Sequence, residues 1–193
     1  MLLVLVLVMT ACSAGDSSHS DKKSLLAEAS GCGDRITTMK KARSDKKLHK
    51  VTYKLTKIIR DPQKTKEIID RYNNSGKATT IGDKDKDDEY VVCRYEVKYP
   101  QNYPVNEYGI TDPKLNFKIV NRNGGDTITI GNTEYLGLGK TWEIGEQPMG
   151  YDFYPGQTYK GAFVFIMIKG YDGYLIEEYY KDGNKTVKHY IKP

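Results

Sequence analysis

The chain has 193 residues, 38% hydrophobic and 28% charged, with a formal net charge of +5. Domains run roughly 100 to 200 residues, so this length holds one domain, or one domain and a tail, and excludes two full domains. No run after residue 11 approaches the roughly 20 apolar residues of a spanning helix, which excludes a polytopic membrane protein. The apolar share falls below the roughly 45–50% usual for globular chains, so part of the chain is expected to stay outside the core. Tyrosine is the strong excess, at 16 residues against four Phe and one Trp, and points to β-structure with amphipathic aromatics.

Residues 1–11, MLLVLVLVMTA, are continuously apolar and are followed by Cys12, Ser13, Ala14 and Gly15. The stretch has the length of a secretory h-region ending in small residues. Met9-Thr10-Ala11-Cys12 resembles the lipobox of bacterial lipoproteins. The resemblance implies that residues 1–11 are a signal peptide and that Cys12 carries the lipid. It also implies anchoring on the extracellular face of the cell membrane, where two acyl chains hold and one does not. Of the three cysteines, Cys32 and Cys93 then remain. In an oxidising compartment they form a disulfide stapling the tether to the domain, or stay as an exposed and a buried thiol; both alternatives stand. No C-x-x-C spacing occurs, which removes zinc-ribbon and thioredoxin-like readings.

Residues 12–47 read as a polar tether. Nine Lys or Arg and five acidic residues lie in 13–50, so most of the net charge belongs to that stretch. Basic residues beside a membrane are drawn to anionic headgroups, and a merely solvated linker explains them equally. Export and a nearly neutral remainder argue against a nucleic-acid partner.

From residue 48 the pattern switches to period two. Val51, Tyr53 and Leu55 alternate with Lys50, Thr52 and Lys54, the mark of a half-buried strand. Asp61-Pro62 stops it, and residues 62–72 read as a short inserted helix with Pro at its first position. A polar loop precedes the clearest strand, 89–99, which puts Val91, Cys93, Tyr95 and Val97 on one face. Further strands are expected at 115–121, 127–130, 159–169, 174–180 and 186–191, separated by Asn123-Gly124, Pro155-Gly156, Asp172-Gly173 and Asp182-Gly183 turns. About seven short strands joined by such turns indicate an all-β antiparallel sandwich over residues 48–193. Residues 153–165, FYPGQTYKGAFVF, lie some 55 residues beyond a strand of the Tyr90-Val91-Val92 type. Together they resemble the immunoglobulin-like lipoproteins of Gram-positive bacteria, a family labelled telomeric-repeat-binding-factor-2-like. The resemblance implies an immunoglobulin-like fold and brings no catalytic motif.

Catalytic and metal signals are thin. Gly137 to Thr141 ends like a phosphate-binding loop, but Glu134 stands where its first Gly belongs and no helix pattern follows. Asp83, Asp85 and Asp87 alternate like the start of a calcium loop, yet the sixth position is Asp88 and the twelfth Arg94, which leaves at most a weak surface site. His19, His49 and His189 have no neighbouring nucleophile, and Glu177 and Glu178 point to opposite strand faces. The chain therefore reads as a non-enzyme without a cofactor. Tyr99, Tyr103, Tyr108, Tyr151, Tyr154, Tyr171 and Tyr174 sit at loops and are the candidate binding rim, since Tyr offers large contact area at low entropy cost. The expected function is non-catalytic binding of a protein, peptide or glycan at the envelope. The alternative is a structural or accessory subunit of an envelope complex.

Overall fold

Strict alternation of apolar and polar side chains lets a strand bury one face and wet the other, and the two longest period-two stretches pair as neighbours. The computed structural model describes residues 25–76, 80–130, 133–136, 142–145 and 153–193. Five strands form the first sheet: β1 (Ile36–Lys41), β2 (Leu48–Ile59), β3 (Asp88–Lys98), β7 (Trp142–Gly145) and β8 (Thr158–Ile168), in the order β1-β2-β3-β8-β7. The second has the order β10-β9-β4, from β4 (Asn116–Asn121), β9 (Tyr174–Asp182) and β10 (Lys185–Ile191). A separate hairpin joins β5 (Thr127–Ile130) to β6 (Thr133–Leu136). Every pairing between these strands is antiparallel. With β2, β3, β8 and β7 taken as strands A, B, E and D, and β4, β9 and β10 as C, F and G, the order is that of a constant-type immunoglobulin sandwich, with β1 added beside strand A.

The core between the sheets is aromatic. Phe117 of β4 stacks on Phe163 of β8 at a centroid distance of 4.7 Å, and Phe165 meets Tyr174 edge-on at 5.4 Å. Tyr95 lies 4.8 Å from Phe117 and is itself almost wholly buried. Its ring covers Gly161, where a methyl group would stand 2.7 Å from Tyr95 Cζ, so only glycine allows that approach. Cys93 occupies the inward face of strand B, where antibody domains carry one half of their disulfide; strand F has Tyr174 in its neighbourhood and no cysteine.

Helix α2 (Pro62–Asn73) connects β2 to β3 and lies on the outer face of the first sheet. Asp61 caps it, its side chain accepting from the Lys64 N–H at 2.9 Å, and Pro62 needs no such partner. Ile69 and Tyr72 pack on Ile59, Val92, Ala162 and Val164. This explains why Val91, Val92 and Cys93 are all buried in succession: this end of the sheet is covered on both sides.

The folded part begins well before residue 48. Helix α1 (Leu25–Glu28) and Ala29 pack on Val120 and Leu175, outside the second sheet. Ser30 then pairs in parallel with Ile191. Residues 36–41 form β1 against β2, with Ile36, Thr38 and Ala42 buried. The tether expected over residues 12–47 is thus corrected from residue 25 onward. Residues 36–40, ITTMK, are too short to show a clear period, and tertiary pairing decides them. Residues 1–11, expected to be a signal peptide, and Cys12 lie outside the described residues. Among these, no helix is long and apolar enough to cross a membrane.

Candidate functional site: a cationic sheet face

Helix α2 covers only one end of the outer face of the first sheet. The other end is open, and the outward side chains of four neighbouring strands form a cleft of about 800 Å³ there. Thr37, Thr52 and Thr158 lie among Arg35, Lys50 and Lys98 in its lining. Lys54 also lines it and pairs with Glu96 at 3.3 Å; Glu96 is the lone acid of the lining among the described residues. Lys160 reaches the same carboxylate at 3.9 Å. Arg35, Lys50 and Lys98 are exposed, and no ion pair among the described residues engages them. Period two puts these cations on one face: Lys50 and Lys54 alternate with buried Val51, Tyr53 and Leu55, and Lys98 follows buried Val97. Unpaired cations among hydroxyls, over a rigid sheet, are suited to holding anionic groups by charge and hydrogen bonds.

Two carboxylates of β9 are fully buried on opposite faces. Inward, Glu178 accepts from Thr38 Oγ1 at 2.9 Å and meets His189 Nδ1 at 2.8 Å, tying β1 to the second sheet. The Thr38 hydroxyl is bonded to the carboxylate and not to the imidazole, so the trio lacks the nucleophile–imidazole–carboxylate order of a hydrolase triad. Outward, Glu177 lies 3.5 Å from Lys118 Nζ and 3.1 Å from Lys188 Nζ. At the opposite edge of the sandwich Glu143 of β7 accepts from the Tyr95 hydroxyl. Burial pushes the Glu143 carboxyl up to about 7, against the opposing pull of that hydrogen bond and of Lys114.

Three of the seven tyrosines of the expected rim are buried. Tyr99, Tyr103 and Tyr174 belong to the core. The Tyr99 hydroxyl donates to the Pro113 carbonyl at 2.8 Å, and its ring meets Tyr103 edge-on at 4.8 Å. The long loop folds back on the sandwich, because burying these rings is worth more than exposing them. Tyr171 is half-buried, its hydroxyl donating to the Gly173 carbonyl. Tyr108 and Tyr154 alone of the described rim residues are exposed, at 65% and 43%, and Tyr151 lies outside the described residues. Cys32 and Cys93 are free thiols here, the first exposed and the second buried. Burial raises the Cys93 thiol, and Cys32 contributes in the same direction. Asp83, Asp85 and Asp87 are exposed, and no acidic or histidine-cysteine cluster able to hold a metal occurs among the described residues. The phosphate-loop-like residues 137–141 lie outside the described residues.

Sequence reading placed Lys50, Thr52 and Lys54 on a solvated strand face but did not join them to Arg35, which was assigned to the tether. Period two was the available signal; the missing step was the register of β1 on β2. Glu178 and His189 were likewise separate until Glu178↔His189 pairing brought them opposite each other. No protein-family model, curated protein or solved structure matches this chain.

Proposed function

We propose that this chain is a lipid-anchored cell-envelope protein that binds an anionic partner without catalysis, using the open cationic face of its first sheet. The observation that carries this reading is the cleft bearing Arg35, Lys50 and Lys98, none of them ion-paired among the described residues. Placement supports it. Leu25 lies beside the turn at Gly124 and near Tyr190, at the end of the sandwich where β4 and β10 finish. The cleft opens toward the other end, near Pro100 and Tyr103. An anchor at Cys12 joined through residues 13–24 holds the first end near the bilayer and leaves the cleft free to meet envelope components.

Retention of the full chain on immobilised polyglutamate and poly(glycerol phosphate), against an uncharged support, tests the reading at an ionic strength of about 0.15 M. Both anionic supports should hold the chain, and Lys50→Glu with Lys98→Glu should release it. Equal retention of the double variant removes the cationic face as the site. The accessory-subunit alternative has one observation in its favour: among the described residues, Val105, Tyr108 and Tyr154 are the exposed large hydrophobic side chains. If it holds, crosslinks to a membrane partner will form at Tyr108 and Tyr154 and will be indifferent to the charge reversal.

A further inference from the structure

Strand β1 is an edge strand, and its free edge has a defined backbone pattern. The Ala42 N–H donates to the Lys47 carbonyl at 2.9 Å, which makes these two a hydrogen-bonded pair at the hairpin end. Such pairs alternate with non-bonded ones along an antiparallel ladder. With the observed register, Ile36, Thr38 and Lys40 turn their backbone groups toward β2, and Thr37, Met39 and Lys41 turn theirs outward. Among the described residues no strand lies on that outer side, and no backbone hydrogen bond outside the sheet ladders ends on these three residues.

Cavities flank this edge on both sides. Arg35 and Thr37 border the cationic cleft on the outer face. On the side facing the second sheet, Met39, Lys41, Ala42, Leu115, Tyr179 and Lys181 line a groove of about 520 Å³. A strand laid along β1 sends alternate side chains to these two places, the arrangement by which edge-added peptides are recognised. Charge defines the peptide. Lys41, Arg43, Lys46 and Lys181 ring the groove. The acids that line it are occupied, Asp112 by Lys40 at 3.5 Å and Glu178 by Thr38 at 2.9 Å and His189 at 2.8 Å, and nearby Asp45 is held by His49 at 2.7 Å and the Lys47 N–H at 2.9 Å.

We propose that β1 takes up an extended, acidic peptide segment as an additional strand, bonded to the backbone of Thr37, Met39 and Lys41. The proposal rests on the binding reading above for the sign of the ligand's charge, and adds a backbone ladder to it. The probe is a labelled, end-blocked heptapeptide alternating Glu and Val, titrated into the full chain, with its Lys-for-Glu counterpart as control. The acidic probe should bind, the basic one should not, and the amides of Thr37, Met39 and Lys41 should exchange at least about tenfold more slowly in the complex. Met39→Pro removes an outward donor without touching a charge, a change edge strands tolerate, and should weaken binding about tenfold or more. Should Met39→Pro disturb folding, amide exchange in the unmodified chain still decides.

Binding without protection at those amides, or equal binding by Met39→Pro, overturns the proposal and leaves adhesion by charge alone. No binding of the acidic probe overturns it too, and makes the edge lysines a guard against strand pairing. Retention on poly(glycerol phosphate), abolished by the Lys50 and Lys98 reversals, stands or falls separately, so failure of the strand site is distinguishable from failure of the cationic face.

Discussion

Tyr99 and Tyr108 are nine positions apart in one loop region and do opposite things. Tyr99 has no exposed surface and a bonded hydroxyl; Tyr108 is 65% exposed. Tyr99→Ala should cost about 3–5 kcal/mol of stability, as truncation of a buried aromatic does. Tyr108→Ala should stay within about 0.5 kcal/mol of the parent; chemical denaturation of the two variants checks the split. Glu143 supplies a pH signature. Its carboxyl is raised to about 7 when folded, so between the ordinary carboxylate range and that value the folded state holds the extra proton. Stability from this group is therefore full in acid and falls as pH rises through that window, by up to about 1.4 kcal/mol per pH unit. Glu143→Gln should flatten the fall between about pH 5 and 7 in urea titrations, and an unchanged slope would show that Glu143 is hydrated. At this scale sequence was a poor guide: a tyrosine's loop position does not say whether the loop folds back, and the burial of Glu178 depends on a partner 140 positions away in Thr38.

At the scale of elements, sequence reading did better where the period was long. The segments now seen as β2, β3, β8, β9 and β10 carry sustained patterns or turn residues at their ends, and α2 follows an Asp-Pro start. What failed was β1, six residues long, whose strand state depends on pairing with β2 and on the Glu178 contact of Thr38. Helix α1, of four residues, is similarly held by Tyr190 and the second sheet rather than by its own propensity. A chain starting at residue 48 therefore loses a strand and exposes the core behind Ile36 and Thr38. Its thermal unfolding should broaden or its midpoint fall by several degrees, whereas a chain starting at residue 25 should unfold like the parent. At the other end of the first sheet Asp61→Ala removes the α2 cap and should cost about 1 kcal/mol in chemical denaturation.

For the whole molecule, the sandwich sets one covered end of a sheet against one open end. Helix α2 and its apolar contacts close the first, while threonines and cations, three of them without an ion pair among the described residues, occupy the second. The net charge of +5, expected mostly in a basic tether, is in part the charge of a folded surface, since Arg35 directly precedes β1 and Lys41, Arg43 and Lys46 belong to β1 and its hairpin. Salt should weaken the proposed binding strongly, because exposed charges are screened within about 8 Å at physiological ionic strength. The most direct test of the binding face is amide chemical-shift mapping of the full chain titrated with soluble polyglutamate. The account predicts perturbations centred on Arg35, Thr37, Lys50, Thr52 and Lys98, with Tyr108 and Tyr154 unmoved; shifts concentrated at those two tyrosines, or no localised shifts, would contradict it.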